Sequence, residues 1–430
     1  MKHSSMPQPR DGDFVRASGH APGRCGPAAR TGLRAAAVLL AIAGLVCVPA
    51  AAGRAWAQGT PGDIRIGATL SQSGVYVPIV GPFGKLADAW AESVNARGGI
   101  FLKHYGKSLP VRFITYDDKS DPTTALNLYE RLASVDKVDL FLGPFSSGMN
   151  NAAMQAAEPH RIPYFIPEGN DAALYSSPNP WRASLFALAD AEYTRLGLLY
   201  GKLPGLKTFA ILARDNLHEV GAADGFAAML GKLGYRVVYR EIVPKETKDF
   251  ASIVLKIKQA NPDAVAVESL APPWTIQFFK QARELGLAPK EVIAAHMPVP
   301  VIRALGGGAE NIVSLLWSYE GNTPDHQEFK ALCAAAGIEP WEYSEAGVRY
   351  VTYKWIEETL KRAGTLDHEA VPKAMWEADF TLFGDEHFKV NGKGYGSEVP
   401  YPTEIRNGRA VSLWPLDVGL SAHVFKDGKW

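Results

Sequence analysis

Short apolar runs alternate with amphipathic segments along most of the chain. Apolar runs bounded by turn residues are typical of buried strands, whereas apolar positions spaced three and four apart predict helices. The first strand is predicted at residues 63–70, and a helix at residues 84–97 ends at Gly98-Gly99. Strand and helix alternate again between residues 190 and 317. We therefore predict an α/β fold with two doubly wound parallel sheets.

The stretch VDLFLGPFSSGMNNAA, residues 138–153, carries the clearest local signal. Its apolar run stops at Gly143-Pro144, and two serines precede an alanine-rich helix. The first turn of a helix leaves backbone N–H groups without partners, and its dipole favours negative charge. A strand, a tight turn and a helix opened by Ser146 or Ser147 thus predict a cradle for a carboxylate or another acceptor. The alternative is that the serines only cap the helix.

The pattern changes in the last third of the chain. A helix at residues 345–363 carries an aromatic stripe that includes Tyr350 and Tyr353, which we interpret as core packing. Beyond residue 383 the sequence becomes glycine-rich and strand-like. Asn407-Gly408, between two apolar runs, predicts a β-hairpin.

The first 57 residues have the organisation of a secretory signal. Basic residues precede an apolar segment at residues 35–52, and Ala55-Trp56-Ala57 is a small-x-small cleavage signature. A transmembrane anchor is the alternative, but Pro49 interrupts the segment and its strongly apolar centre is short for a span. Lipidation at Cys47 is disfavoured by the valine before it. We predict cleavage after Ala57.

Composition excludes several classes of partner. The 430 residues include 45 basic and 45 acidic side chains, so no bulk charge attracts nucleic acid or an anionic membrane. Cys333 is the one cysteine beyond residue 57, and an exported domain with one cysteine has no internal disulfide. We predict that Cys333 is a buried apolar residue.

Motifs for catalysis and for cofactors are missing from the sequence. It has no GxxxxGK[ST], no GxGxxG after the first strand and no HExxH, and the serines do not stand in G-x-S-x-G. The histidines are scattered, and His218 and His296 follow predicted strands, where lone histidines are usually hydrogen-bonded structural residues. We expect no enzyme activity, no cofactor and no metal.

Adjacent aspartates at Asp117 and Asp118 suggest a metal or acid–base pair as one interpretation. Neighbouring residues of a strand point to opposite faces, and Asp121-Pro122 is a common opening of a helix. We favour a structural, capping role for this segment.

Several segments together resemble the type I periplasmic binding proteins, the substrate-binding proteins of ABC transporters for branched-chain amino acids and related amides and carboxylates. The resemblance extends from Ile64 to about Trp430. The segments that carry it are IRIGATLSQSG (64–74), VNARGGI (94–100), the DD-x-x-DP at 117–122, FLGPFSSG (141–148), KQARELGL (280–287), LFGDEHFKVNGKG (382–394) and the strand before Trp414-Pro415-Leu416.

This resemblance implies two lobes with a ligand cleft between them, joined by three hinge crossings. The crossings would lie near residues 182–188, 317–320 and 381–385. The first lobe would comprise residues 62–183 plus 320–382. The second would comprise residues 184–319 plus 383–430.

The resemblance also implies where a ligand would bind. The turn at Ser146-Ser147 would hold its carboxylate, and the loop at Glu168-Gly169-Asn170, with Tyr76, would add contacts from the first lobe. In amino-acid-specific members an acidic side chain of the second lobe pairs with the substrate ammonium. That position falls near His296, and Glu268 could substitute for it. The candidate ligand-binding residues are Tyr76, Phe145, Ser146, Ser147, Glu168, Gly169, Asn170, His218, Glu268 and His296.

The expected function is that of a monomeric periplasmic protein that captures a small solute and delivers it to an inner-membrane ABC permease. An amino acid, an amide and an organic or aromatic acid all remain open as ligands. The main alternative is an extracytoplasmic sensor subunit of the same fold. An exported hydrolase using Ser147 with His218 is a third class.

Overall fold

The computed structural model describes residues 61–317, 321–343, 345–384 and 386–429. The chain divides into two units, Met1–Ala57 and Gln58–Trp430. The signal sequence and its cleavage after Ala57 lie outside the described residues and stay predictions. The same holds for the parts of the predicted crossings at residues 318–320 and 385.

In the described part of the chain, the strands form two large sheets and two small antiparallel pairs. In chain order they are β1 Ile64–Leu70, β2 Ile100–Leu102, β3 Lys107–Leu109, β4 Val111–Asp117, β5 Leu140–Leu142, β6 Tyr164–Phe165, β7 Arg182–Ala183, β8 Thr208–Arg214, β9 Arg236–Val243, β10 Ala264–Glu268, β11 Glu291–Ala294, β12 Val313–Leu316, β13 Asp379–Leu382, β14 Glu386–Lys389, β15 Tyr401–Arg406 and β16 Arg409–Ser412.

Helices connect and cover these strands. They are α1 Val77–Val80, α2 Phe83–Ala96, α3 Pro122–Ser134, α4 Ser147–His160, α5 Thr194–Tyr200, α6 Leu217–Lys232, α7 Ala251–Ala260, α8 Pro272–Glu284, α9 Val299–Leu305, α10 Pro324–Ala336, α11 Ala346–Ala363, α12 Ala370–Trp376 and α13 Leu416–Ala422. None of the helices in the described part of the chain is long and apolar enough to cross a membrane.

The first large sheet is parallel throughout, in the order β4-β1-β5-β6-β7. The second has the order β16-β15-β12-β11-β10-β8-β9. Its five strands from β8 to β12 are parallel, but β15 and β16 run antiparallel at one edge. The predicted α/β class with two parallel sheets is therefore confirmed, with an antiparallel hairpin added to the second sheet at the predicted Asn407-Gly408 turn.

Each large sheet lies between two layers of helices. One face of the first sheet packs against α2 and α11, where Trp90 stacks on Tyr353 at 5.1 Å between ring centroids. Its other face packs against α3 and α4. The second sheet has α7 and α8 on one face and α5 and α6 on the other. The aromatic stripe of α11 is thus core, as predicted, and Cys333 is buried in the same core.

Three local differences from the predicted elements have structural causes or consequences. The strand predicted at residues 109–116 is divided into β3 and β4 at Pro110, which has no N–H for a strand ladder. The helix predicted at residues 190–203 is a 3₁₀ turn at Ala189–Ala191 followed by α5, so Glu192 lies between two short elements. Helices α1, α9 and α13 were not predicted.

The two adjacent aspartates hold the loop after β1. Asp117 accepts hydrogen bonds from the N–H groups of Gln72 and Ser73, and Asp118 accepts from the hydroxyls of Thr69 and Ser71 at 2.8 and 2.6 Å. Asp121 caps α3 by accepting from the N–H of Thr124 at 2.7 Å. The structural role predicted for this segment agrees with these contacts.

A buried histidine ties the chain end to the second sheet. His423 follows α13, and its Nε2 and Nδ1 lie 2.9 Å from Glu291 and 2.8 Å from Glu404. Burial lowers the pKa of this imidazole, but the two carboxylates outweigh burial and raise the pKa to about 9. At neutral pH the folded protein therefore favours the protonated, charged form of His423.

Candidate functional site

The turn after β5 is held in one conformation by its own side chains. Ser146 is the N-cap of α4, with φ of 74°, and its Oγ accepts from the N–H of Met149 at 3.4 Å. Asn150 donates from Nδ2 to the carbonyls of Pro144 and Ser146 at 2.8 and 2.9 Å. A Cβ at Gly143 would stand 2.4 Å from Asn150 Oδ1, so only glycine fits there. The predicted strand, tight turn and helix are all present.

Ser147 links this turn to the loop after β6. Its Oγ accepts from the backbone N–H groups of Asn170 and Asp171 at 3.2 and 3.1 Å. Because the oxygen already accepts two hydrogen bonds, the hydroxyl hydrogen is the group that can reach another acceptor. Ser147 is therefore not the cap of α4, and it is 1% exposed.

A cavity that is partly open to solvent lies next to these serines. Most of the residues around it follow the carboxyl ends of parallel strands from both large sheets, as the general rule for open α/β sheets requires. Its lining consists of Phe145, Ser146, Ser147, Pro167, Glu168, Asn170, Phe186, Glu192, His218, Leu270, His296, Trp317, Glu345 and Val348.

An arginine from α11 supports the first-sheet side of the cavity. Arg349 is buried, its Nε donates to Glu168 at 2.7 Å, and its Nη2 also contacts that carboxylate. Its Nη1 donates to the carbonyl of Gly143 at 3.3 Å. Burial raises the pKa of Glu168 to about 7, because lost solvation outweighs the nearby guanidinium. One side chain thus positions both loops of the predicted cradle.

Two histidines and two glutamates line the cavity as a chain of close contacts. Glu192 lies 3.3 Å from His218 Nε2 and 3.2 Å from His296 Nε2, and Glu345 lies 3.3 Å from His296 Nδ1. The other nitrogen of His218, Nδ1, is 2.7 Å from Asn170 Oδ1. All four of these side chains, the two histidines and the two glutamates, are buried.

The charges of the histidines and glutamates in this cluster stabilise one another. Burial lowers the pKa of His296, but the contacts with Glu192 and Glu345 outweigh it and hold the pKa well above its usual value. Burial alone would raise the pKa of Glu192, and His218 and His296 bring it below the usual value. Behind them, burial and then the charge of Glu192 raise the pKa of Glu268 well above normal. The surroundings of Glu268 thus favour the neutral form of its carboxyl group.

The structure brings seven of the ten candidate ligand-binding residues to the cavity wall. These are Phe145, Ser146, Ser147, Glu168, Asn170, His218 and His296. The other three candidates, Tyr76, Gly169 and Glu268, are not among the lining residues and pack behind the cavity wall. Tyr76 packs edge-on against Phe145 at 5.1 Å, the Gly169 carbonyl accepts from the Tyr175 hydroxyl at 2.6 Å, and Glu268 borders Glu192 and His296.

Sequence reasoning missed several residues of the wall. Phe186 and Trp317 lie in two of the segments predicted as crossings, and a segment that passes between two sheets has to border the cleft, which was a usable signal. Glu192 was hidden inside a predicted helix. Glu345 stands just before α11, and nothing in its local pattern marks it.

Comparisons with known proteins agree with this arrangement. The model of the family described as "Periplasmic binding protein" matches residues 63–408. A curated relative, the Leu/Ile/Val-binding protein homolog 7 of Brucella melitensis biotype 1, is 26% identical over 88% of this chain and 98% of its own length.

Solved structures show the same fold. The leucine binding protein LivK of Thermotoga maritima superposes with a TM-score of 0.70 at 18% identity, covering 81% of this chain and 97% of that one. A solute binding protein of R. palustris in complex with 4-hydroxybenzoate gives a TM-score of 0.71 at 20% identity, covering 81% and 95%. The family and the fold are those of solute-binding proteins rather than enzymes. The resemblance seen in the sequence motifs is confirmed: the chain belongs to the periplasmic binding protein family, and within it to the type I proteins of the Leu/Ile/Val-binding kind.

Proposed function

We propose that the chain is an exported solute-binding protein that captures a small polar organic solute in this cavity and delivers it to an inner-membrane ABC permease. The solute is an amino acid, an amide or an organic acid, including an aromatic acid. The observation that carries the proposal is the cavity between the two sheets, with the Ser147 hydroxyl at its wall. Relatives whose names or titles give leucine or 4-hydroxybenzoate support this class of solute.

The chemistry of the wall supports a solute with one acceptor group and an apolar body. The Ser147 hydroxyl and the N-terminus of α4 suit a carboxylate or carbonyl oxygen. Phe145, Phe186 and Trp317 supply apolar surface, with Phe186 edge-on to Trp317 at 4.8 Å between ring centroids. The histidine–glutamate chain lies on the remaining wall. A flat or branched carboxylic acid matches these surfaces.

The identity of the solute is open to a direct test. Mass spectrometry of protein purified from the periplasm and then denatured should release one small organic acid, amide or amino acid in stoichiometric amount. Refolded protein should bind that compound again in a calorimetric titration. A denatured sample that releases no small molecule, together with no binding across a panel of amino acids and aromatic acids, would contradict the proposal.

We also propose that binding closes two lobes about three crossings, since the cavity wall takes residues from both sheets. The lobes are residues 62–183 plus 320–382 and residues 184–319 plus 383–430. We expect the radius of gyration from small-angle scattering to fall when the solute is added. The same measurement with a solute outside the identified class is the control. A radius that stays constant at saturating solute would exclude hinge closure.

Ser147→Ala should weaken binding of the identified solute by roughly ten- to a hundredfold, because a hydrogen bond to a charged group contributes about 1.5–3 kcal/mol. Ser146→Ala should instead lower the free energy of unfolding by about 1 kcal/mol, since Ser146 is the cap. Affinity is measured by calorimetry and stability by thermal unfolding. Ser134→Ala, at an exposed hydroxyl that donates to Glu130, is the matched control. Unchanged affinity in Ser147→Ala would mean that the solute binds elsewhere.

A further inference from the structure

The histidine–glutamate chain of the cavity has the spacing of a metal site. Glu192 Oε2 lies 3.3 Å from His218 Nε2, and Glu192 Oε1 lies 3.2 Å from His296 Nε2. One ligand atom from each of these three residues can be chosen so that all lie within 4.8 Å of one another. Two ligands bonded to Zn²⁺ at about 2.0–2.1 Å in a tetrahedron stand about 3.3 Å apart. The two nitrogen–oxygen separations, each to a different oxygen of Glu192, are close to that edge, and 4.8 Å is the upper limit for the remaining pair.

A direct ion pair between imidazolium and carboxylate has a shorter separation. Charge-assisted N–H···O bonds close to about 2.7–2.9 Å. His423 shows this in the same molecule, with 2.9 and 2.8 Å to its two carboxylates. Within the described residues, the Glu192 oxygens, the Nε2 atoms of His218 and His296 and both ring nitrogens of His423 lack a hydrogen bond of good geometry. The separation, 3.2–3.3 Å against 2.8–2.9 Å, is therefore what distinguishes the cavity cluster from the pairs at His423. The contacts of Glu192 with the two rings are thus longer than close ion pairs, and they lie in the range expected for neighbouring ligands of one ion.

The second nitrogen of each ring faces an oxygen atom, at hydrogen-bond distance for His218 and at a longer distance for His296. His218 Nδ1 is 2.7 Å from Asn170 Oδ1, and His296 Nδ1 is 3.3 Å from Glu345 Oε1. An oxygen acceptor at Nδ1 keeps the ring proton there, so that a cation bound at Nε2 replaces the second proton of the imidazolium, which is released. The carboxylate behind His296 also makes that ring a stronger ligand.

The three proposed ligands are buried and lie at the cavity wall. Glu192, His218 and His296 are 2%, 5% and 6% exposed, and all three line the cavity. Three protein ligands leave one position of a tetrahedral ion open toward the solute. Asn170 connects this position to the serine turn, because its N–H donates to Ser147 while its Oδ1 contacts His218.

We propose that Glu192, His218 and His296 bind a divalent transition-metal ion, for which Zn²⁺ fits the donor set, and that the captured solute supplies the fourth ligand. This inference rests on the proposed function, since the solute completes the coordination. The solute class narrows accordingly to acids or amines with a second donor group that can reach the ion. The three ligands come from the link before α5, the start of α6 and the loop after β11.

The test is a calorimetric titration of periplasmic protein with ZnCl₂ after EDTA treatment and removal of the chelator. The parent should bind one equivalent. His218→Ala and His296→Ala should each weaken binding at least a hundredfold. His387→Ala removes an exposed histidine beside Asp379 and should leave the titration unchanged. When Co²⁺ replaces Zn²⁺, the parent and His387→Ala should show the ligand-field absorption of a nitrogen-bound ion. His218→Ala and His296→Ala should not show it.

A conservative variant covers the case in which the alanine variants do not fold. Glu192→Gln keeps the size of the side chain, and Zn²⁺ should raise the thermal midpoint of the parent but not of this variant. The proposal is overturned when the parent binds no stoichiometric Zn²⁺, or when binding survives in His218→Ala and His296→Ala.

Solute binding in the presence of EDTA separates the two proposals. A solute that binds equally well in EDTA, in a protein that does not bind Zn²⁺, leaves the proposed function intact and removes the metal site. Stoichiometric Zn²⁺ binding in a protein that binds no solute supports the three protein ligands, and it removes both the proposed solute capture and the solute's role as fourth ligand.

Discussion

Arg349→Ala is expected to lower the free energy of unfolding by about 3–5 kcal/mol, the range for removing one partner of a buried ion pair. The substitution leaves Glu168 buried without its guanidinium, and Gly143 loses a donor to its carbonyl. Denaturant unfolding at pH 7 measures the loss. The solute affinity should fall as well, because the loops after β5 and β6 both rest on this side chain.

Two comparisons make the Arg349 result specific. Arg112 pairs with Asp63 at 2.9 Å on the surface, and Arg112→Ala should cost less than about 1 kcal/mol. The double variant Arg349→Met with Glu168→Leu should recover most of the lost stability, since an apolar pair replaces the buried charges. A loss in Arg349→Ala no larger than in Arg112→Ala would show that the buried pair is energetically unimportant.

His423→Gln should destabilise the protein at pH 6 and have little effect above pH 9. The pKa of His423 is raised to about 9 in the folded protein and lies near 6.5 in an unfolded chain. A raised pKa contributes stability that is complete below the unfolded value and is lost as pH rises through the folded value. The contribution at pH 6 is about 3 kcal/mol, from about 1.4 kcal/mol for each pKa unit.

Unfolding free energies of the parent and of His423→Gln, measured between pH 6 and pH 9.5, test this expectation. The difference between them should shrink across that interval. His387→Gln, at an exposed histidine beside Asp379, should show no comparable change. A difference that is constant with pH would mean that His423 is neutral in the folded protein.

Local sequence signals were sufficient for the serine turn. An apolar run, Gly143-Pro144 and two serines specify a strand end, a reversal and a helix start within a few residues, and the structure has all three. Which serine caps the helix could not be read from the sequence. That choice depends on Asn150, which donates to the Ser146 carbonyl, and on the N–H groups of Asn170 and Asp171, which donate to Ser147. The loop that carries these N–H groups reaches Ser147 only in the folded chain.

Long-range contacts explain what was missed at the other wall. His218 and His296 follow different strands of the second sheet, so their spacing in the sequence contains no sign that their rings lie 5.6 Å apart. Glu192 contacts both rings because it lies in the short link between the 3₁₀ turn and α5. Helical periodicity predicts one continuous helix there. The expectation of no metal followed from sequence spacing alone.

Cys333 makes the protein suitable for optical reporting of solute capture. Burial and the nearby Glu339 raise the pKa of its thiol to about 12, so this sulfur is a poor nucleophile toward maleimide dyes at neutral pH. A cysteine introduced at Val75, which is 43% exposed, would then be the preferred labelling site. Val75 borders a groove shared with Lys248 and Gln277, so a fluorophore there would change its surroundings if the proposed lobe closure occurs.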